Sequence, residues 1–145
     1  MYLPAVKGVV GTPWRKLAWR VQPYERFEAW QRAHETALAI HMATRSWPTE
    51  ERFGLTAEVR RAARSVSTNI VEGSAKHGGS EFRRFLDISL GSLAEVGYLL
   101  RFARDLGILS EKDWARLEEM RSQAGGLIWL LYRSLGPRPT RPKRD

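Results

Sequence analysis

Apolar residues recur three and four apart along most of this chain, and no stretch alternates apolar with polar. That periodicity predicts four helices and no strands. The first runs over about 26–44, with Phe27, Trp30, His34, Ala37, Leu38 and His41 on its core side. The second runs over about 55–72, carries Leu55, Val59, Ala62, Val66 and Ile70 on one stripe, and has Gly73 as its C-cap. A flexible loop, 74–79, leads to a third helix from Ser80 as N-cap to Leu106, ended by Gly107. The fourth opens on Ser110-Glu111-Lys112-Asp113, a capping box with aspartate for glutamate, and runs to Leu135, where Gly136-Pro137 stops it. Short loops favour antiparallel neighbours. The expected fold is therefore all-α, an antiparallel up-down-up-down four-helix bundle over 24–135, with basic irregular flanks at 1–23 and 136–145.

The third helix has two apolar faces. Phe82, Phe85, Leu86, Leu93, Val96 and Leu100 form one, and Ile88, Leu99, Phe102 and Leu106 form another roughly 120° away. Only a strip with Arg83, Asp87, Ala94, Arg101 and Asp105 reads as fully wet. The run Leu127-Ile128-Trp129-Leu130-Leu131-Tyr132 in the fourth helix is apolar almost all round. A lone bundle needs one stripe per helix, and a second face left bare is a large patch. The pattern predicts a homo-oligomer; the bland alternative is a deeply packed monomer.

Composition narrows the chemistry. The 145 residues contain no cysteine, which excludes disulfides, thiolate metal sites and cysteine nucleophiles. No run approaches 18 apolar residues, so no membrane-spanning helix and no membrane partner are expected. Three histidines leave little for a metal centre, and neither a metal nor a cofactor is expected. The net charge is +8, which favours an anionic partner, nucleic acid first and an acidic lipid surface second. The excess sits in the flanks: +4 in 1–23 from Lys7, Arg15, Lys16 and Arg20, and +3 in 136–145, where Arg138, Arg141, Lys143 and Arg144 outweigh Asp145. These segments read either as solvated ends or as electrostatic arms for RNA or DNA. Trp14, Leu17, Ala18 and Val21 after Thr12-Pro13 would suit a short amphipathic helix. Composition as a whole predicts a small basic cytoplasmic protein.

Two clusters are candidates for chemistry. Asn69 falls inside the apolar arc of the second helix, Glu72 lies one turn on, and the third helix offers Ser92 and Glu95 beside Gly91. Read functionally, Glu72 and Glu95 are a pair of carboxylates in a polar pocket. Read structurally, Asn69, Glu72, Ser92 and Glu95 form a network that fixes register, and this is preferred, because no nucleophile or metal-ligand spacing joins them. The expectation is a protein without catalytic residues. His34 and His41 are two turns apart, about 10 Å, too far to share a metal, and read as packed core residues. The second cluster is Arg60, Arg61, Arg64, Arg83 and Arg84, a phosphate-binding surface or else solvated arginines paired in part with Glu58 and Asp87. No aromatic is interleaved with them, so base stacking is not expected.

The same residues carry a resemblance. The stretch Arg60-Arg61-Ala62-Ala63-Arg64-Ser65-Val66-Ser67-Thr68-Asn69-Ile70-Val71-Glu72-Gly73 resembles the signature R-R-A-x-x-S-[VI]-x-x-N-I-[AV]-E-G of the four-helix-bundle proteins encoded by intervening sequences of bacterial 23S ribosomal RNA genes. The segment from Phe82 to Glu95 resembles that family's F-x-x-F-L-x-I-x-x-G-S-L-x-E. Trp30-Gln31-Arg32-Ala33 and the stretch from Pro48 to Leu55 also fit, so the resemblance covers about Phe27 to Leu135. That family is similar in fold to the accessory variability protein of diversity-generating retroelements, a pentamer that binds nucleic acid and partners a reverse transcriptase. The resemblance thus implies a bundle, a homopentamer and a nucleic-acid role. The flanks lie outside the family pattern, and His41 stands where the family often has tyrosine. The leading reading is a non-enzymatic oligomeric bundle that neutralises phosphates, accessory to a reverse transcriptase or RNA machinery. The alternative is a structural or protein-interaction module with no nucleic-acid role.

Overall fold

The computed structural model describes residues 23–137. The basic positions Arg15, Lys16, Arg20, Arg138, Arg141, Lys143 and Arg144, and the expected amphipathic segment around Trp14, lie outside the described residues. Four α-helices follow in order: α1 (Glu28–Ala43), α2 (Leu55–Ser74), α3 (Gly79–Asp105) and α4 (Glu111–Ser134). Short 3-10 turns at Pro23–Arg26, Thr44–Ser46 and Thr49–Glu51 lead into α1 and link it to α2. There is no strand among the described residues. The all-α fold is as the periodicity predicts.

Each helix packs on the next, and α4 closes back onto α1, so one core lies between all four. At their contacts α2 and α3, and α3 and α4, run in opposite directions. Ser65 of α2 meets Ser92 of α3, while Gly73, further along α2, meets Phe82, earlier in α3. Likewise Gly97 faces Arg121 while Gly79 faces Leu135. Ile40, Val59, Val66, Ile70, Leu86, Val96, Leu100, Leu117 and Ile128 fill the centre. The closest approach is at Gly73: a Cβ there would lie 2.7 Å from the Phe82 ring and 2.8 Å from Phe85 Cβ. Glycine at that point lets α2 seat directly on two phenylalanines, and α2 continues past it to Ser74 rather than ending there.

The ends of α3 and α4 show how the local sequence works. Gly78, with φ of 95°, precedes α3 as its N-cap, one residue before Gly79 and two before the expected Ser80. Ser110 caps α4, its hydroxyl accepting a 3.1 Å hydrogen bond from Asp113 N–H. That is half of the capping box expected at this serine.

The face of α1 differs from expectation. Its buried positions are Ala29, Ala33, Thr36 and Ile40. Phe27, Trp30 and Ala37 flank that stripe half-buried, Leu38 is 54% exposed, and His34 and His41 are exposed rather than packed. The small alanines let the helix approach its neighbours closely, so the larger side chains are displaced to the margins. His34 lies stacked on Trp30, with rings 4.9 Å apart.

Candidate nucleic-acid interface

The polar cluster separates into two parts. Asn69 Nδ2 donates to the carbonyl oxygen and the hydroxyl of Ser65, at 2.8 and 3.1 Å. Ser65 Oγ and Ser92 Oγ share a 2.9 Å hydrogen bond across the α2–α3 seam. Ser65, which was not singled out from the sequence, is thus the hub. Glu72 and Glu95 are exposed and join neither residue, so the expected four-member network is a chain of Asn69, Ser65 and Ser92. They project beyond the apolar arc, where water solvates them. One turn further in, Ser89 is fully buried and donates a 2.6 Å hydrogen bond to the carbonyl of Val66. Among the described residues, no group of three His, Asp or Glu side chains could hold a metal ion.

The five arginines also separate. Position 83 of α3 lies opposite the Gly73 end of α2, as the contact of Gly73 with Phe82 requires. That places Arg83 and Arg84 about 12–18 Å along the axis from Arg60 and Arg64, at 1.5 Å per residue. They do not form one surface. Arg83, expected to be wet, is half-buried, and its guanidinium lies 4.3 Å from the centre of the Tyr132 ring. Arg84 pairs with Glu81 at 3.3 Å. Other ion pairs link Arg32 to Glu35 and Arg104 to Asp105, each at 3.1 Å, on α1 and at the end of α3.

On α2 the picture is different. Arg61 and Arg64 are exposed, and Arg60 is held by one edge of its guanidinium, whose Nε donates to Thr44 Oγ1 at 2.7 Å and Nη2 to the His41 carbonyl at 3.3 Å, leaving Nη1 uncommitted. The corner between α1 and α2 brings two more arginines, Arg45 and Arg52, beside Arg60 around one cleft. No carboxylate of the described residues lies within 4.0 Å of any of these five arginines, Glu58 included, and neither Glu58 nor Asp87 makes the pairing expected of it. Glu51 turns the other way, accepting a 3.4 Å hydrogen bond from Leu55 N–H at the start of α2. The positive field registers on His41, whose pKa is lowered from 6.5 by Arg60 first, then by burial and by Arg45 and Arg64. Phe53, 89% exposed, stands at the edge of the corner with Arg52 over its ring. An aromatic therefore does accompany the arginines. Arg45, Arg52 and Phe53 were not read as functional from the sequence because they lie in the aperiodic linker; the fit of the stretch from Pro48 to Leu55 to the family pattern was the signal for Arg52 and Phe53.

Exposed apolar side chains remain on three helices: Leu38 and Met42 on α1, Ile88, Tyr98 and Phe102 on α3 with Leu106 at its end, and Trp129 and Leu130 on α4. Leu99, expected with them, belongs to the core. None of the four helices is long and apolar enough to cross a membrane.

An all-α bundle with an arginine-rich corner and bare apolar stripes defines the class. The chain belongs to the family described as 23S rRNA-intervening sequence protein, which residues 25–129 match. A search of curated proteins finds no match to the chain.

Proposed function

We propose that this chain is a non-enzymatic bundle that assembles with copies of itself and binds nucleic acid by neutralising phosphates. One observation carries the reading: Arg45, Arg52 and Arg60 line one cleft at the α1–α2 corner, Arg64 adds its charge beside His41, and none of them, nor the exposed Arg61 on α2, has a carboxylate partner among the described residues. Guanidinium groups kept free of internal ion pairs are available for the bidentate phosphate contacts that arginine favours. Such contacts hold a strand in place and read little sequence. The bare apolar stripes support assembly, and five chains is the number implied by the resemblance. A ring would repeat the corner and raise avidity through effective concentration. The family's description makes RNA the first nucleic acid to test. An accessory role beside a reverse transcriptase or RNA machinery belongs to this same reading.

The exposed Ile88, Phe102 and Trp129 favour a second reading, a protein-interaction module whose charge only keeps it in solution. Salt dependence separates the two. Binding of the full chain to RNA and DNA should weaken with salt at a log–log slope of about −0.9 per phosphate on duplex and about −0.7 on single strands. Glutamine at Arg60, Arg61 and Arg64 together should flatten that slope. No binding of either nucleic acid near 50 mM salt, roughly the low end of the usual range, would leave the interaction module as the function.

A further inference from the structure

The cleft at the α1–α2 corner is more than a basic patch. It is lined by Arg45, Arg52 and Arg60, with Thr49, Thr56 and Trp47, and has a volume of about 300 Å³. No carboxylate lines it. Trp47 is 7% exposed and gives the cleft a rigid, nearly dry wall. Arg60 is fixed by Thr44 and the His41 carbonyl, so its side chain is ordered before any ligand arrives. Thr56 is 94% buried, and its hydroxyl has no hydrogen-bond partner among the described residues. Three guanidiniums converging on one cleft without a carboxylate suit an anion with several acceptor oxygens, and a phosphoryl group fits that set.

Phe53 extends the site. Its ring is almost wholly in solvent, one residue from Arg52, whose guanidinium lies 5.5 Å from its centre. An aromatic left in water beside a phosphate-sized cleft is the arrangement by which single strands are held, phosphate on a cation and base on a ring. Duplex bases are stacked on one another and cannot use it.

We infer that the corner cleft holds one phosphate of a single-stranded nucleic acid, with Phe53 as the platform for the adjoining base. The inference rests on the nucleic-acid reading above, and its test keeps the two apart. Inorganic phosphate and a fluorescent single-stranded RNA are titrated against the full chain by calorimetry and anisotropy. Phosphate should saturate at one site per chain. The pair Arg45→Gln and Arg52→Gln, both on exposed side chains, should leave the melting temperature in place and weaken both ligands by at least about tenfold, the loss of charge-assisted hydrogen bonds. Phe53→Ala should weaken the RNA by at least about fivefold, the loss of one stacked base, and leave phosphate unchanged. Removing the same charge at Lys76 and Arg133, at the far end of the bundle, should leave phosphate affinity as it was. Absence of saturable phosphate binding, or phosphate binding indifferent to the Arg45 and Arg52 changes, overturns the site. RNA binding that ignores those changes and Phe53 overturns the single-strand assignment while the broader nucleic-acid reading stands. Phosphate binding in a protein that takes no RNA overturns both the assignment and that reading, and leaves a free-anion site.

Discussion

The hydroxyl of Ser89, wholly buried in α3, donates to the carbonyl of Val66 in α2 at 2.6 Å. With the Ser65–Ser92 bond one turn away, it ties the two helices by polar contacts inside a dry seam. The serines are small enough to let the backbones approach, and Gly73 continues the same close contact toward Phe82.

Ser89→Ala should lower stability by about 1 kcal/mol, because the Val66 carbonyl keeps its own helical partner and only the net bond is lost. Gly73→Ala should cost more, about 1–3 kcal/mol, since its new methyl meets Phe82 and Phe85 at sub-contact distance. Denaturant melts of the two variants rank these effects. An alanine at position 73 as stable as glycine would mean that α2 and α3 can slide apart freely.

Asn69→Ala should cost about 1 kcal/mol and leave assembly intact, because both of its hydrogen bonds stay within α2. Glu72→Gln and Glu95→Gln, at exposed positions, should fall within about 0.5 kcal/mol of the parent. The same melts check all three. A large loss at either glutamate would restore it to a network that the side-chain positions do not include.

Phe102→Asp should dissociate an assembly while the subunit stays folded, because Phe102 is 43% exposed. Leu99→Asp should unfold the subunit itself, since Leu99 lies in the core. Light scattering and circular dichroism distinguish these outcomes. An intact protein that scatters as one chain of 16.6 kDa would end the oligomer proposal.

His41 should titrate below 6.5 in a proton NMR titration, held down chiefly by Arg60. Arg60→Gln should move its midpoint upward. The sign for stability follows: the unfolded chain protonates this imidazole near 6.5, while the folded chain does so only at lower pH. The unfolded state binds more protons in that interval, so His41 takes stability away as pH falls below 6.5 and has no effect above it. A midpoint at or above 6.5 would mean that the arginines do not converge on it.

How much of this was legible in the sequence depends on the kind of signal. Ser110 announced α4 because a cap is local: hydroxyl, aspartate and turn lie within four residues. The stripe of α2 was legible because its large aliphatics coincide with its buried face. In α1 they do not. The buried face is Ala29, Ala33, Thr36 and Ile40, and reading by side-chain size turned the helix toward His34 and His41. Helical angle gives direction but not the reach of a neighbour, which is why Glu72 and Glu95 seemed to enter a seam that they pass outside. The arginine corner was half visible. Arg60, Arg61 and Arg64 stand on a periodic helix, whereas Arg45, Arg52 and Phe53 reach them only through the turn of the chain.

The opposed directions of the helices give the bundle two distinct ends. Phe27 against Phe82, and Gly79 against Leu135, place the points where residues 1–22 and 138–145 join the bundle at one end. The contact of Arg60 with Thr44 places the arginine corner at the other. The 16 residues of α1 separate them by about 24 Å. Along one strand of duplex, that distance is roughly seven nucleotides at about 3.4 Å each. A strand shorter than that can touch one end of a subunit at a time, and a longer one can span both, so length alone should set a step in affinity.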